Sequence, residues 1–356
     1  MSGFVIDEIV VPERIDAPDA GDFVRSVEVG NVVAIDAVGT PDIAYEPAEE
    51  LPQFRNPFQP RRAFVARVEG EIVGRAFTET PAKQGADTTW VIVQVLRGFR
   101  GRGIGRALAD RVEEVAAAEG RRKVLAYVDG RELGGARIPS PTGFGSVSAE
   151  ERSTRFLLSR GYRLEQVGRA SRLPLPVPGL DRLYADAVAA SGADYAVHSW
   201  VGAAPERWRA DLAVLITAMS TDAPDAGLGT PEDVWTAERV AENDARRARE
   251  QPRPFLRTAA EHLPTGELVA FSALSVPPQL HRAVQQYATI VRRDHRGHRL
   301  GRLVKIGNLV HLARVAPGRP SILTFNAEEN RPMLDVNEAL GFASIAYEGG
   351  WRKDLS

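Results

Sequence analysis

Glycine and arginine alternate in two stretches of this chain, roughly 200 residues apart, each between an apolar strand and an amphipathic helix. Cradle 1 is residues 100–106, RGRGIGR, and cradle 2 is residues 296–302, RGHRLGR. Glycines in such a turn uncover backbone N–H groups at the helix start, and guanidinium groups surround them. Free N–H groups and the helix dipole attract anions. The pattern therefore predicts two binding sites for a di-anion such as a pyrophosphate.

Other phosphate-binding and metal-binding motifs fit the cradles poorly. A dinucleotide-binding turn needs G-x-G-x-x-G in an early βαβ unit, whereas cradle 1 has Gly101, Gly103 and Gly105. Neither cradle has the Gly-Lys-Ser/Thr ending of an NTPase loop. His295 and His298 could suggest a metal pair, but their place in a turn favours loop packing or a phosphate contact. We predict no metal.

The composition is that of an ordinary globular protein with room for two domains. The chain has 356 residues, 44% of them hydrophobic, a formal net charge of −2 and no cysteine. Arginines interleaved with acidic residues argue against a nucleic-acid partner. The missing cysteines exclude disulfides, thiolate metal sites and a cysteine nucleophile. No apolar run reaches the length of about 20 residues that a membrane span needs, so we expect a cytoplasmic protein without a membrane partner.

Each half of the sequence predicts the same order of elements around its cradle: a hairpin, the cradle strand, a helix, a further strand and a second helix. Before cradle 1 the hairpin is predicted at 63–77, and before cradle 2 at 255–272. The Gly- and Pro-rich segment 129–152 is predicted to be a loop insertion. We therefore predict an α/β (α+β) fold of two tandem domains, each a mixed central sheet with flanking helices. The Pro-rich segment 173–179 sets their boundary near residue 178, giving domains 1–178 and 179–356.

The cradles resemble the acyl-CoA signature of the GNAT superfamily of N-acyltransferases, Arg/Gln-x-x-Gly-x-Gly/Ala between a strand and a helix. Cradle 1 fits in full, whereas cradle 2 has Arg299 in place of the first glycine. If the backbone there needs a positive φ, Arg299 costs about 1 kcal/mol. A second GNAT landmark is an Asn, an apolar residue three positions later and a helix ending in Gly-Phe. Asn330, Met333 and Gly341-Phe342 match it, so the resemblance covers most of both halves.

The resemblance implies an acetyl-CoA-dependent N-acetyltransferase that acts on a primary amine of a small molecule. In a GNAT domain two central strands diverge, pantetheine lies between them and the helix start holds the pyrophosphate. The amine enters from the opposite side, and a strand amide stabilises the oxyanion. The residues that the resemblance assigns to acetyl-CoA are Val93, Val95, Arg100, Gly101, Arg102, Gly103, Ile104, Gly105, Arg106, Ile290, Val291, Arg296, Gly297, His298, Arg299, Leu300, Gly301, Arg302 and Asn330.

The usual catalytic pair of the superfamily is missing from both halves. GNAT domains commonly use a Glu on the cradle strand as a water-linked base and a Tyr in the last helix as the acid. The matching positions are Gln285 and Asn337 in the second half, and Thr89 and Leu157 in the first. Three substitutes lie in the second half: Tyr287 as acid, base or wall, Glu328 as a water-linked base, and Asn337 as a hydrogen-bond donor to the sulfur. Each of them could instead be structural, and for Glu328 the structural interpretation is favoured.

Two front helices are predicted in the second half, at 205–220 and 231–250, and the resemblance implies that the acceptor contacts the loop 219–227 between them, with Trp235 following. Asp222 and Asp225 could hold a cationic amine and Trp235 could stack on it, although Asp is as common in turns and caps. We predict that the C-terminal half carries the chemistry, because it keeps the Asn330 landmark, and that the N-terminal half is degenerate or structural. The alternative is a non-catalytic acyl-CoA-binding or regulatory protein. The sequence leaves a monomer and a homodimer open.

Overall fold

The computed structural model of the chain describes residues 3–83, 85–131 and 134–355. Their packing divides into two compact units. The N-terminal unit is Met1–Gly168 with Asp225–Pro231 and Ala346–Ser356, and the C-terminal unit is Arg169–Pro224 with Glu232–Ile345. The end of the chain thus returns to complete the N-terminal unit. The domain boundary near residue 178 stays a prediction.

The N-terminal unit alternates strands and helices as predicted from the second strand onward. Its elements are β1 Val5–Ile9, α1 Gly21–Val38, α2 Pro47–Phe54, β2 Arg61–Val68, β3 Glu71–Glu79, β4 Thr88–Val95, α3 Ile104–Ala118, β5 Lys123–Gly130, β6 Arg137–Pro139, β7 Ser146–Ser148, α4 Arg152–Ser159 and the first half of β8 Arg163–Pro174.

The C-terminal unit repeats this order. Its elements are the second half of β8, α5 Leu180–Ser191, β9 Tyr195–Val201, α6 Arg209–Asp222, α7 Ala237–Glu250, β10 Phe255–His262, β11 Glu267–Ser275, β12 Val284–Val291, α8 Leu300–Val315, β13 Ser321–Ala327, α9 Arg331–Leu340 and the start of β14 Ala343–Asp354. The predicted hairpins, cradle helices and last helix are confirmed.

Each unit has a mixed central sheet. The N-terminal strand order is β1-β2-β3-β4-β5-β14-β8, in which β4 and β5 are parallel and β14 runs antiparallel to β5. The C-terminal order is β8-β13-β12-β11-β10-β9, in which β12 and β13 are parallel. The predicted mixed α/β architecture of two similar domains is therefore confirmed.

The apolar spacing of the cradle helices explains how they are held. In α3, Leu108, Val112 and Val115 lie on one face and are buried against the sheet, with exposures of 4% or less. In α8, Leu303 and Ile306 fill the same role. Packing of these faces fixes where each helix starts, and therefore where each cradle lies.

The structure differs from the predictions mainly in the connecting segments. The helix predicted from Pro231 begins at Ala237, because the Thr236 hydroxyl caps it by accepting from the Arg239 N–H at 3.2 Å. The predicted insertion 129–152 includes the two-stranded hairpin β6–β7. Two helices between residues 21 and 54 had no counterpart among the sequence-based expectations.

Candidate functional site

The strand leading into each cradle separates from its parallel neighbour. β4 and β5 pair only from Thr88–Lys123 to Trp90–Leu125. In the C-terminal unit the pairing of β12 with β13 ends after Gln285. Beyond these pairs the described strands form no further ladder with each other, so backbone groups along both forks can bind a ligand's amides. The four strand residues predicted to contact acetyl-CoA lie beyond the forks: Val93, Val95, Ile290 and Val291.

Cradle 1 presents the start of α3. Gly101 and Gly103 have φ values of +82° and +87°, which favour glycine. As the N-cap residue, Gly103 supplies no side-chain hydrogen bond to the first N–H groups of the helix. A Cβ atom built on Gly101 would meet nothing within 4 Å. The turn is therefore open to a phosphate, and Arg102 and Arg106 are exposed beside it.

Cradle 2 repeats the turn with an arginine in a conformation that favours glycine. Gly297 has a φ of +93° and Arg299, the N-cap of α8, a φ of +58°. The expected strain of about 1 kcal/mol at Arg299 therefore applies. His298 is exposed, with its ring 5.4 Å from the ring of Tyr195. A Cβ atom on Gly301 would have only ordinary contact, at 3.6 Å.

The first arginine of each cradle closes its turn in the same way. Arg100 Nε donates to the carbonyl of Val95 at 2.8 Å. Arg296 Nε donates to the carbonyl of Val291 at 3.3 Å. Each arginine thus ties the cradle to the last residue of its strand, and this contact is the same in both cradles.

Asp222, predicted to hold a cationic amine, lies against cradle 2. It forms ion pairs with Arg296 at 2.6 Å and with Arg293 at 2.5 Å. The hydrogen bond from Arg293 lowers the pKa of Asp222 below its usual range. Asp36 takes the equivalent place at cradle 1, 3.4 Å from Arg100. Both aspartates therefore orient cradle arginines, and amine binding by Asp222 stays a prediction.

The other two predicted acceptor residues belong to different units and have partners in the chain. Asp225 accepts from the N–H groups of Gly229 and Thr230 at 2.8 and 3.0 Å, and from the Thr230 hydroxyl. It acts as a turn residue. Trp235 has the guanidinium of Arg239 4.2 Å from its ring centroid, in the place where a cationic ligand would stack.

Tyr287, a predicted catalytic residue, is the extra residue of a β-bulge. Ala273 pairs with Ala288 and Leu274 with Gln286, so Tyr287 has no partner on β11. The Gln286 amide fills the bulge by donating to the carbonyls of Ala273 and Ala288 at 2.9 and 2.7 Å. The Tyr287 side chain is 61% exposed. Bulges re-aim side chains beside active sites, and this one directs Tyr287 outward.

Glu328 and Asn337 lie in the C-terminal unit with their polar atoms engaged or buried. Both Glu328 oxygens accept from Arg169, at 2.8 and 2.9 Å. Asn337 is 1% exposed and donates to Asn326 Oδ1 at 2.7 Å, while its own Oδ1 has no partner. Asn330 is the N-cap of α9 without a side-chain capping bond. The catalytic roles of these residues stay predictions.

A carboxylate pair that the sequence analysis missed lies in the N-terminal unit. Asp129 on β5 stands directly opposite Glu348 on β14. Burial is the main cause that raises the pKa of both carboxyl groups. Lys123 of β5 and Ile322 of β13 are the first residues that pair at the two forks. Asp129 lies six residues after Lys123, and Glu328 lies six residues after Ile322. Asp129 and Glu328 are therefore counterparts. In the sequence Asp129 begins the predicted insertion, and no local signal links it to Glu348.

Lys305 is a second titratable residue that sequence reasoning missed. It lies on α8 and is 3% exposed, with Nζ 5.3 Å from the ring centroid of Phe342. Burial lowers the pKa of Lys305 to about 7. The equivalent position after cradle 1 is Ala109. Helical spacing from Leu303 and Ile306 places Lys305 off the predicted apolar face, so no sequence signal marked it as buried.

The described parts of the chain hold neither a metal site nor a membrane-spanning helix. No group of three or more His, Cys, Asp or Glu residues there could hold a metal ion. None of the described helices is long and apolar enough to cross a membrane.

Comparison with known proteins identifies the fold. Residues 35–133 match the family model described as acetyltransferase (GNAT) family. A tandem GNAT protein from the clavulanic acid biosynthesis pathway is 24% identical, with a TM-score of 0.75 over 99% of this chain and 98% of the other. No curated protein matches the sequence significantly.

Two further solved structures share the fold at lower identity. A GCN5-related N-acetyltransferase from Sphaerobacter thermophilus has 15% identity and a TM-score of 0.65 over 99% of this chain and 96% of its own. A glucosamine N-acetyltransferase region of a fungal multi-domain β-N-acetylglucosaminidase has 15% identity and a TM-score of 0.61, over 99% of this chain and 38% of that one. The chain has a tandem GNAT fold.

Proposed function

We propose that this protein is an acetyl-CoA-dependent N-acetyltransferase that acts on a primary amine of a small molecule. The observation that carries the proposal is the duplicated fork and cradle, in which Arg100 and Arg296 make equivalent contacts. Each cradle would hold the pyrophosphate on the N–H groups at its helix start, and each fork would bind the pantetheine amides. The amine nitrogen then attacks the thioester carbonyl, and coenzyme A leaves as the thiol.

The assignment of catalysis to the C-terminal half stays a prediction, supported by the exposed Tyr287 at its bulge. A tyrosine there could protonate the departing thiolate. Both oxygens of Glu328 accept hydrogen bonds from Arg169, which makes Glu328 a poorer proton acceptor and argues against it as the base of that half. The same hydrogen bonds favour the second candidate function, a non-catalytic acyl-CoA-binding or regulatory protein.

Matched glycine variants test the proposal. Gly105 and Gly301 stand near the starts of α3 and α8, and a Cβ atom at either would touch its nearest neighbour at only 3.8 or 3.6 Å. The Cβ atom of a valine therefore has room at either position, and we expect its branched side chain to block the approach of a phosphate. We expect wild-type protein to bind two acetyl-CoA molecules by calorimetry, and each of Gly105→Val and Gly301→Val to bind one.

Thiol release from acetyl-CoA then separates the two candidate functions. With an amine panel, the variant that loses turnover identifies the transferring unit. Gly21→Ala, at an open position away from the cradles, is the control. Unchanged stoichiometry and affinity in both valine variants would contradict the cradle assignment. Tight acetyl-CoA binding without thiol release would favour the non-catalytic alternative.

A further inference from the structure

The Asp129–Glu348 pair lies on the face of the N-terminal sheet that is opposite to α3. Successive residues of a strand point to opposite faces. Val124 and Ala126 of β5 pack in the core with α3, so Asp129 points to the other face. The helix α1 covers that face, where Phe23 shares a core with Ile92 of β4. The pair is therefore on the side from which the GNAT resemblance brings the amine.

Asp129 and Glu348 are neighbouring carboxyl groups with no cation beside them in the part of the chain that the structure describes. Directly opposed residues of antiparallel strands have Cβ atoms about 5 Å apart. Asp129 Oδ1 is buried and has no hydrogen-bond partner. Within the described residues, neither carboxylate has an ion pair. The remaining charged or titratable groups around them are Glu151 before α4, Tyr127 on β5 and Asp225. The positive charge of Arg131 acts electrostatically on Glu151, where it opposes the rise in pKa caused by burial.

The C-terminal unit shows how the fold satisfies the same position internally. There the counterpart of Asp129 is Glu328, and Arg169 of the neighbouring strand neutralises it through two hydrogen bonds. A buried carboxylate without such a partner is costly. In the N-terminal unit the neighbouring strand brings Glu348 instead of a cation. The raised pKa values therefore keep a proton on the pair unless a cation from outside the chain binds beside it.

We infer that Asp129 and Glu348 form the docking site for the ammonium group of the amine acceptor in the N-terminal unit. The inference rests on the proposed acyl transfer and places it in the N-terminal unit, contrary to the sequence-based prediction that the C-terminal half carries the chemistry. One ammonium proton passes to the carboxylate pair, and the freed nitrogen attacks the thioester carbonyl. The new C–N bond forms as the C–S bond breaks, and the second proton that the nitrogen loses goes to the leaving thiolate, so that coenzyme A departs as the thiol. The last strand of the chain therefore supplies half of the site.

The charge of the pair defines the class of acceptor. A diamine or an amino sugar brings only positive charge near the reacting nitrogen, whereas an α-amino acid brings a carboxylate that the acidic pair repels. We therefore expect cationic amines without a neighbouring carboxylate. One structural neighbour is described as a glucosamine N-acetyltransferase, and glucosamine is an amine of that class.

The test uses 1,4-diaminobutane as the probe and the full-length chain. Calorimetry at pH 8 measures binding of the probe and, separately, of acetyl-CoA. The variants are Asp129→Asn and Glu348→Gln, and the control is Glu114→Gln, a 68%-exposed side chain on α3. We expect each pair variant to weaken probe binding at least tenfold and to leave acetyl-CoA affinity within twofold of wild type. Glycine, which carries a carboxylate beside its amine, is expected not to compete.

A second readout separates ligand binding from a structural role. Neutralising a partnerless carboxylate removes an unfavourable charge, so Glu348→Gln should raise the melting temperature at pH 8 while it weakens probe binding. Wild-type protein that does not bind the probe, or pair variants that bind it as wild type does, would overturn the inference. A lowered melting temperature in both pair variants would do the same. Loss of acetyl-CoA binding in wild type would instead refute the proposed function.

Discussion

The two units build the same anion cradle but surround the matching carboxylate differently. Glu328 has both oxygens on Arg169, whereas its counterpart Asp129 faces Glu348. The backbone part of the site is thus duplicated and the charged part is not. A carboxylate that is already paired with an arginine gains little from a further cation. We therefore expect the C-terminal unit not to bind an amine at Glu328, and the N-terminal unit to bind one at Asp129 and Glu348.

The largest expected effect comes from removing the internal cation of the C-terminal unit. Arg169→Met leaves Glu328, with an 11%-exposed side chain, without its partner. Breaking a buried ion pair costs about 3–5 kcal/mol of folding stability. Because Arg169 is partly exposed, we expect a loss of about 3 kcal/mol. Urea unfolding, with hydrogen exchange to resolve the two units, measures the loss. Adding Glu328→Gln should restore most of it, and a variant as stable as wild type would show that the pair contributes little.

A second contrast compares Lys305 with Ala109. Because burial lowers the pKa of Lys305 from 10.5 to about 7, the unfolded chain binds more protons between those values, and stability rises with pH across that window. Lys305→Met should therefore stabilise the protein most below pH 7. The net gain should be about 2 kcal/mol, because the removed burial penalty exceeds the lost contact with Phe342. The gain should shrink towards pH 10. A gain independent of pH would contradict the explanation.

One substitution applied to both units should have opposite signs. Burial and the charge of Asp129 raise the pKa of Glu348. Above the usual glutamate pKa the folded state therefore binds more protons than the unfolded chain. The stability of the protein falls as pH rises from that value through the raised pKa. Glu348→Gln should remove that fall and add about 1 kcal/mol at pH 9, with no gain at pH 4. Glu328→Gln should destabilise by about 1–2 kcal/mol, because it weakens the bonds from Arg169. If both substitutions changed the free energy of unfolding in the same direction, the two carboxylates would be equivalent.

The sequence predicted the parts of this protein that depend on local patterns. Glycine spacing and apolar periodicity located both cradles and their helices, because a turn and a helix face are specified by nearby residues. The pairing of Asp129 with Glu348 depends on the last strand returning to the N-terminal sheet, and no local signal encodes that contact. For the same reason Asp222 could be predicted as a free anion, although Arg293 and Arg296 neutralise it.

The smallest expected effect concerns the cradles themselves. Arg299 has a φ of +58°, where Gly103 in cradle 1 has +87°. Arg299→Gly relieves the strain but adds freedom to the unfolded chain, so the net gain should be about 0.5 kcal/mol. The reciprocal Gly103→Arg should cost about 1 kcal/mol. Urea midpoints measure both changes. If the Arg299 guanidinium binds a phosphate, the stabilised variant should also bind acetyl-CoA more weakly, and the loss should diminish as salt screens the charge. A variant that gains stability and keeps its affinity would mean that Arg299 supplies only the turn, and that the backbone N–H groups alone hold the anion in cradle 2.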